Sequence, residues 1–93
     1  MDFNEPLYEF MDMIGEDHRI GPSHVSLYMA ILHLYKKQQF ETPVIVYSRD
    51  LMKQAKISAV ATYHKCIRDL KDAGYINYIP SYNPVTGSSI YLI

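Results

Sequence analysis

Tryptophan is missing from this chain, and cysteine occurs once, at Cys66. A lone cysteine excludes an internal disulfide, so cross-links cannot substitute for a core, and a reducing, cytoplasmic setting is expected. No apolar run approaches the roughly 18 residues of a membrane span. The acidic opening, MDFNEPLYEFMDM, resembles neither a secretory signal nor a transit peptide. Net charge is only −1, which argues against strong non-specific binding to polyanions. Phosphate-cradling glycine loops and nucleophile elbows are lacking, and His18, His24, His33 and His64 show no zinc-type pairing. His64 and Cys66 stand two positions apart on an expected helix, so they diverge by about 200° and cannot act as base and nucleophile. Cys66 then reads as a small core filler. Glu16 and Asp17 are merely adjacent in a loop, which gives no acid–base geometry. No enzyme activity, metal, cofactor or small-molecule ligand is expected on these grounds.

What is present suits one folded core. At 93 residues with 48% apolar and 20% charged content, the chain can bury about 60–65% of its unfolded surface without staples. Charge is unevenly spread. Residues 1–20 carry six acids against Arg19, giving −5, while residues 21–93 carry eight Lys/Arg against four acids, giving +4. Such a division fits a nucleic-acid face that excludes the N-terminal segment, or simply two solvated surfaces. We therefore read residues 1–20 as an N-terminal helix and loop, and 21–93 as the main domain.

Phe3, Leu7, Phe10 and Ile14 recur at spacings of 4, 3 and 4, one stripe of a helix with Asn4 as N-cap, Pro6 in its first turn and Gly15 as its stop. That stripe is either a lid on the core or a homodimer contact. Ser23 is expected to cap a second helix running to about Gln38. In it, nine of the eleven residues from Val25 to Tyr35 are apolar, so it needs cover on several sides and becomes the central helix. TPVIVY reads as a short strand, and Ser48 as the cap of a short helix, RDLMKQA, whose Leu51, Met52 and Ala55 face inward. After a KIS connection, Ser58 is expected to cap a helix that Gly74 ends. YINYI and SIYLI then pair as a hairpin across PSYNPVTGS, with Pro84 and Gly87 suited to its reversal. Tyr28, Tyr35, Tyr63 and Tyr75 are expected at the core, and Tyr78, Tyr82 and Tyr91 on the hairpin.

Wound at 100° per residue, 58–72 places Val60, Tyr63, Ile67 and Leu70 on one side, flanked by Ala59 and Cys66. Ser58, Ala61, Thr62, Lys65, Arg68, Asp69 and Asp72 fall on the other, with His64 at the edge. Small residues first and cations in the middle suit a helix entering a DNA major groove, where Thr touches thymine methyls and Lys and Arg reach guanine edges or phosphates. The two acids would repel phosphate, which moves the expected contact to the N-terminal half of the helix. Lys65 and Arg68 can equally be solvated charges on an exposed face.

The segment SRDLMKQAKISAVATYHKCIRDLKDAGYINYIP, followed by the hairpin and preceded by VIVY, resembles the winged-helix superfamily, most of all small bacterial proteins of plasmids, phages and mobile elements. The likeness covers roughly 23–93. It implies a mostly α fold with a small antiparallel hairpin, a winged helix-turn-helix with an extra N-terminal helix. It also implies a DNA-reading helix over 58–73 and a wing over 80–89, with double-stranded DNA as partner. By this resemblance the DNA-contacting residues are Ser58, Ala61, Thr62, His64, Lys65, Arg68, Tyr82, Asn83 and Ser88, in a transcriptional regulator or an accessory factor of replication or transfer. One departure stands out. After Lys71 there is no basic residue, so the wing offers only hydrogen-bonding groups, and a shallow salt dependence and reliance on a dimer or a larger partner follow. Half-sites of such a dimer would lie about 34–36 Å apart. The rival expectation is a winged helix used for protein contacts through its uncharged hairpin.

Overall fold

The computed structural model describes residues 4–83 and 85–93, excluding the side chain of Asn4. The expected roles of Phe3, the Asn4 side chain and Pro84 lie outside the described residues. These residues form α1 (Asn4–Ile14), α2 (Pro22–Lys37), β1 (Val44–Val46), α3 (Ser48–Ala55), α4 (Val60–Asp72), β2 (Ile76–Ile79) and β3 (Ser88–Leu92). The result is a small α+β domain. Its antiparallel sheet has the order β1-β3-β2, with Val44 opposite Ile90 and Tyr78 also opposite Ile90. Among the described residues no helix is long and apolar enough to cross a membrane.

The nearly all-apolar α2 does become the centre: Leu27, Tyr28, Ala30, Ile31, Leu32 and Tyr35 are buried between α1, α3, α4 and the sheet. α1 closes one side. Phe10, only 2% exposed, stacks on Tyr28 at 3.8 Å between ring centroids and meets Tyr75 edge-on at 5.1 Å. Leu7 and Ile14 rest against the same core. Of the two readings of this stripe, Phe10, Leu7 and Ile14 form the lid, because three aromatic rings meet there within one chain. The loop after α1 is tied down by Asp17, which accepts two bonds from the Arg19 guanidinium and one, at 2.8 Å, from the Tyr75 hydroxyl. Arg19 and then Tyr75 hold the Asp17 carboxyl far below the usual carboxylate range. Burial pushes the Tyr28 phenol up to about 12.

None of the three serines expected as caps serves as one. α2 begins at Pro22 after Gly21, and the Gly21 N–H is taken by Nδ1 of His24, reaching back from the first turn at 3.0 Å. Ser23 is thus redundant. Ser48 is itself the first residue of α3, which starts directly from the extended Tyr47. Ser58 precedes α4, whose N-cap is Ala59. The cause is the α3–α4 connection. Lys56 adopts a left-handed φ of 63°, the Ile57 N–H bonds back to the Met52 carbonyl, and the Ile57 side chain is buried. With Ile57 anchored, Ala59 is extended and exposed and Val60 turns outward to 58% exposure, so Val60 and Ala59 do not join the apolar side. Tyr63, Cys66, Ile67 and Leu70 do.

Two polar bridges complete the frame. The Ser26 hydroxyl donates to the Ala55 carbonyl, fixing the end of α3 on α2. The Gln38 side-chain amide accepts from the Ile45 N–H at 2.9 Å and donates to its carbonyl at 2.8 Å, covering the outer edge of β1 as another strand would.

Candidate nucleic-acid interface

The outward face of α4 is set by what its other face must bury. With Tyr63, Cys66, Ile67 and Leu70 committed to the core, Ala61, His64, Lys65, Arg68 and Lys71 are exposed and Thr62 is half-buried. Of the residues singled out in the sequence, Ala61, His64, Lys65 and Arg68 therefore share one exposed surface. Ser58 is exposed too, but in the connection before the helix. Burial raises the Cys66 thiol, with Asp69 adding to the shift, which leaves it a poor nucleophile.

The charges on this face differ from those on the helical wheel. Asp69 points back toward α2, where its Oδ2 lies 2.8 Å from His24 Nε2. Because His24 Nδ1 accepts the Gly21 N–H, the ring proton sits on Nε2 and is donated to the carboxylate. Lys65 donates to the same oxygen at 2.8 Å, an i,i+4 pair. Lys65 first, and His24 second, hold the Asp69 carboxyl below its ordinary value. Lys65 is thus partly neutralised on its own helix, and Asp69 is not a free outward charge. Arg68 has no ion pair among the described residues.

Two cations absent from the sequence-based set stand beside this face. Arg49 and Lys53, four positions apart on α3, are both exposed and have no ion pair among the described residues. Their spacing, on the opposite side from Leu51 and Ala55, was the available signal. They border a cleft of about 730 Å³ between the start of α3, His64 and the β2–β3 loop. Of the expected contacts, His64, Tyr82, Asn83 and Ser88 line this cleft, while Ser58, Ala61, Thr62, Lys65 and Arg68 do not.

The β2–β3 loop is held mainly by its own polar groups. The hydroxyls of Ser81 and Thr86 lie 2.9 Å apart, and Asn83 Oδ1 accepts the Val85 N–H at 2.9 Å. Ser88 Oγ accepts from the Ser81 N–H and the Tyr78 hydroxyl. Tyr47, at the start of α3, donates to the Val85 carbonyl at 2.9 Å and ties the loop to the helix pair. Gly87 has φ +71°, and a Cβ there would lie 3.0 Å from Ile45, Tyr47 and the Val46 carbonyl, so this reversal needs glycine on both conformational and steric grounds. Tyr82 is left 96% exposed at the tip. In comparisons with known proteins, no family model, no curated protein and no solved structure matches the chain.

Proposed function

We propose that the chain is a winged-helix domain that binds duplex DNA in a sequence-dependent way, α4 entering the major groove and the β2–β3 loop lying against the adjacent backbone. The observation that carries this reading is the set of exposed cations on α3 and α4 that have no ion pair among the described residues. Arg68 of α4 and Arg49 and Lys53 of α3 are unpaired among the described residues, while the small Ala61 permits close approach of the helix. Cations from two elements, one on the reading helix and two beside it, supply both base-edge and phosphate contacts. The order helix, strand, helix pair, hairpin supports the same architecture. The role is that of a regulator or an accessory factor in replication or transfer of a mobile element, in the cytoplasm. Homodimerisation belongs to this reading as well. With Leu7, Phe10 and Ile14 turned inward, it would use the outer α1 residues Tyr8, Met11 and Met13.

Fluorescence anisotropy of a labelled mixed-sequence duplex, at roughly 50 and 200 mM salt, tests the proposal. Binding weakens at the higher salt. Arg68→Ala weakens it by about tenfold, and Arg49→Ala with Lys53→Ala reduces the salt slope by about one per lost phosphate contact. Lys65→Ala has the smaller effect, because its charge is shared with Asp69. Duplex binding that ignores salt and all four substitutions refutes the assigned face. A protein-docking role is favoured by one observation, the uncharged loop tip with Tyr82 and Val85 both exposed. That reading requires no salt-dependent duplex binding at all.

A further inference from the structure

The cleft between α3, His64 and the β2–β3 loop has a composition that groove contact by α4 does not explain. Its lining includes Arg49, Lys53 and the imidazole of His64, against a single carboxylate, Asp50. The same lining includes three phenol residues, Tyr47, Tyr78 and Tyr82. Two of those rings are fixed: Tyr47 by its bond to the Val85 carbonyl at 2.9 Å, and Tyr78 by its bond to Ser88 Oγ at 3.3 Å. The third, Tyr82, has no hydrogen-bond partner among the described residues and stands at the rim. Asn83, also in the lining, uses its Oδ1 on the loop, and its side-chain N–H groups have no partner among the described residues. At about 730 Å³ the cleft falls within the roughly 300–1,000 Å³ of small-molecule sites.

We propose that this cleft binds a single nucleotide unit, a planar nucleobase bearing a phosphate. The phosphate is held by Arg49 and Lys53 with His64 beside them, and the base stacks on a tyrosine ring of the lining, with Tyr82 closing over it. Each part of the ligand answers one part of the lining. A dianion complements the surplus of cations, and a flat π-face complements phenols, because stacking on aromatic side chains is tolerant of base identity. The edge of a base supplies acceptors for the Asn83 amide. A purely apolar ligand would leave the cations idle, and inorganic phosphate would leave the rings idle. The same unit can come from a free nucleotide or from an unpaired nucleotide of a DNA strand. The site shares Arg49 and Lys53 with the duplex-binding proposal, but Ala61, Lys65 and Arg68 of α4 lie outside it, so those three residues tell the two apart.

The test is amide NMR of the isotope-labelled full chain, titrated with an equimolar mixture of the four 5′-deoxynucleoside monophosphates, a short single-stranded oligonucleotide, inorganic phosphate and a blunt duplex. Nucleotide is expected to give saturable shifts confined to residues 47–53, 64 and 78–88 below about 10 mM, tenfold above a millimolar Kd. Inorganic phosphate binds at least about fivefold more weakly, for want of a base to stack. Tyr82→Ala, at a position exposed enough to leave the fold intact, weakens the nucleotide by about fivefold. Arg49→Ala with Lys53→Ala weakens it by about tenfold, the value of one charge-assisted bond. A single strand that saturates at lower concentration than the monophosphates identifies a strand-borne nucleotide, and equal affinity identifies a free one; both support the site. The proposal falls if neither nucleotide nor single strand shifts the cleft residues, or if inorganic phosphate does so equally well. The blunt duplex reports separately through residues 61, 65 and 68, so loss of the cleft site and loss of the duplex-binding reading give different spectra.

Discussion

Replacing Tyr63 by phenylalanine is expected to stabilise the protein, although it deletes a polar group from the buried face of α4. The Tyr63 side chain is 1% exposed, and its hydroxyl has no hydrogen-bond partner among the described residues. Burial drives its phenol well above the usual range, with the nearby Tyr78 adding to the shift. In the unfolded chain that hydroxyl is hydrated, so burying it unpaired costs about 1–3 kcal/mol. The substitution keeps the ring and its buried apolar area, and the space left by one oxygen costs back only about 0.5 kcal/mol. A net gain of about 1–2 kcal/mol follows, and for a domain of this size each kcal/mol moves Tm by about 4–8 °C. Thermal and urea denaturation followed by circular dichroism would read this as a higher Tm and midpoint at unchanged m. Tyr75→Phe is the control. It makes the same chemical change but removes the 2.8 Å bond to Asp17, so it lowers stability by about 0.5–1.5 kcal/mol. If Tyr63→Phe destabilises the protein as Tyr75→Phe does, the Tyr63 hydroxyl has a partner in solution and the reasoning fails.

Two further outcomes can be checked with the same denaturation assays. Gly87→Ala should cost more than Gly74→Ala. Both positions have positive φ, worth about 1 kcal/mol to a side chain, but only at Gly87 does the new Cβ meet neighbours at 3.0 Å, adding about 1–3 kcal/mol. Equal losses would show that the β2–β3 loop yields freely. Asp17 and Asp69 both titrate below an unperturbed carboxylate, so each stabilises the fold above the unfolded value and loses that contribution as pH falls through the folded one. Tm is therefore expected to be flat above about pH 5 and to fall on acidification, and Asp17→Asn should lower Tm at neutral pH while making the acid loss shallower. An unchanged acid slope in that variant would mean the Asp17 cluster contributes nothing.

Element identity was legible in this sequence because the signals were periodic and strong. The run from Val25 to Tyr35 fixed a central helix, Tyr63, Ile67 and Leu70 gave the buried side of α4, and VIVY, YINYI and SIYLI gave three strands. Starting points were not legible. Serine is a good N-cap in isolation, but at 23, 48 and 58 other constraints decided the start: a histidine reaching back, a strand running straight into a helix, and Ile57 drawn into the core. The charge pattern of the candidate interface was only half legible. A helical wheel shows Asp69 among the outward residues, because it cannot show His24, 45 positions away in sequence, waiting on α2. Nor does a single-helix wheel bring in Arg49 and Lys53, which meet α4 only through the cleft they share with His64.

The position of β3 carries a consequence for how this domain comes to be folded. It is the middle strand of the sheet, yet in chain order it follows both of the strands it joins, with Ile90 lying 46 residues beyond its partner Val44. As the polypeptide emerges during synthesis, β1 and β2 are out first and neither can pair. The helices can gather around α2 in the meantime, since their contacts need no late segment. Sheet formation is then a single late event that recruits both edges at once, and until it happens the nascent chain presents two unpaired strands to any other chain nearby.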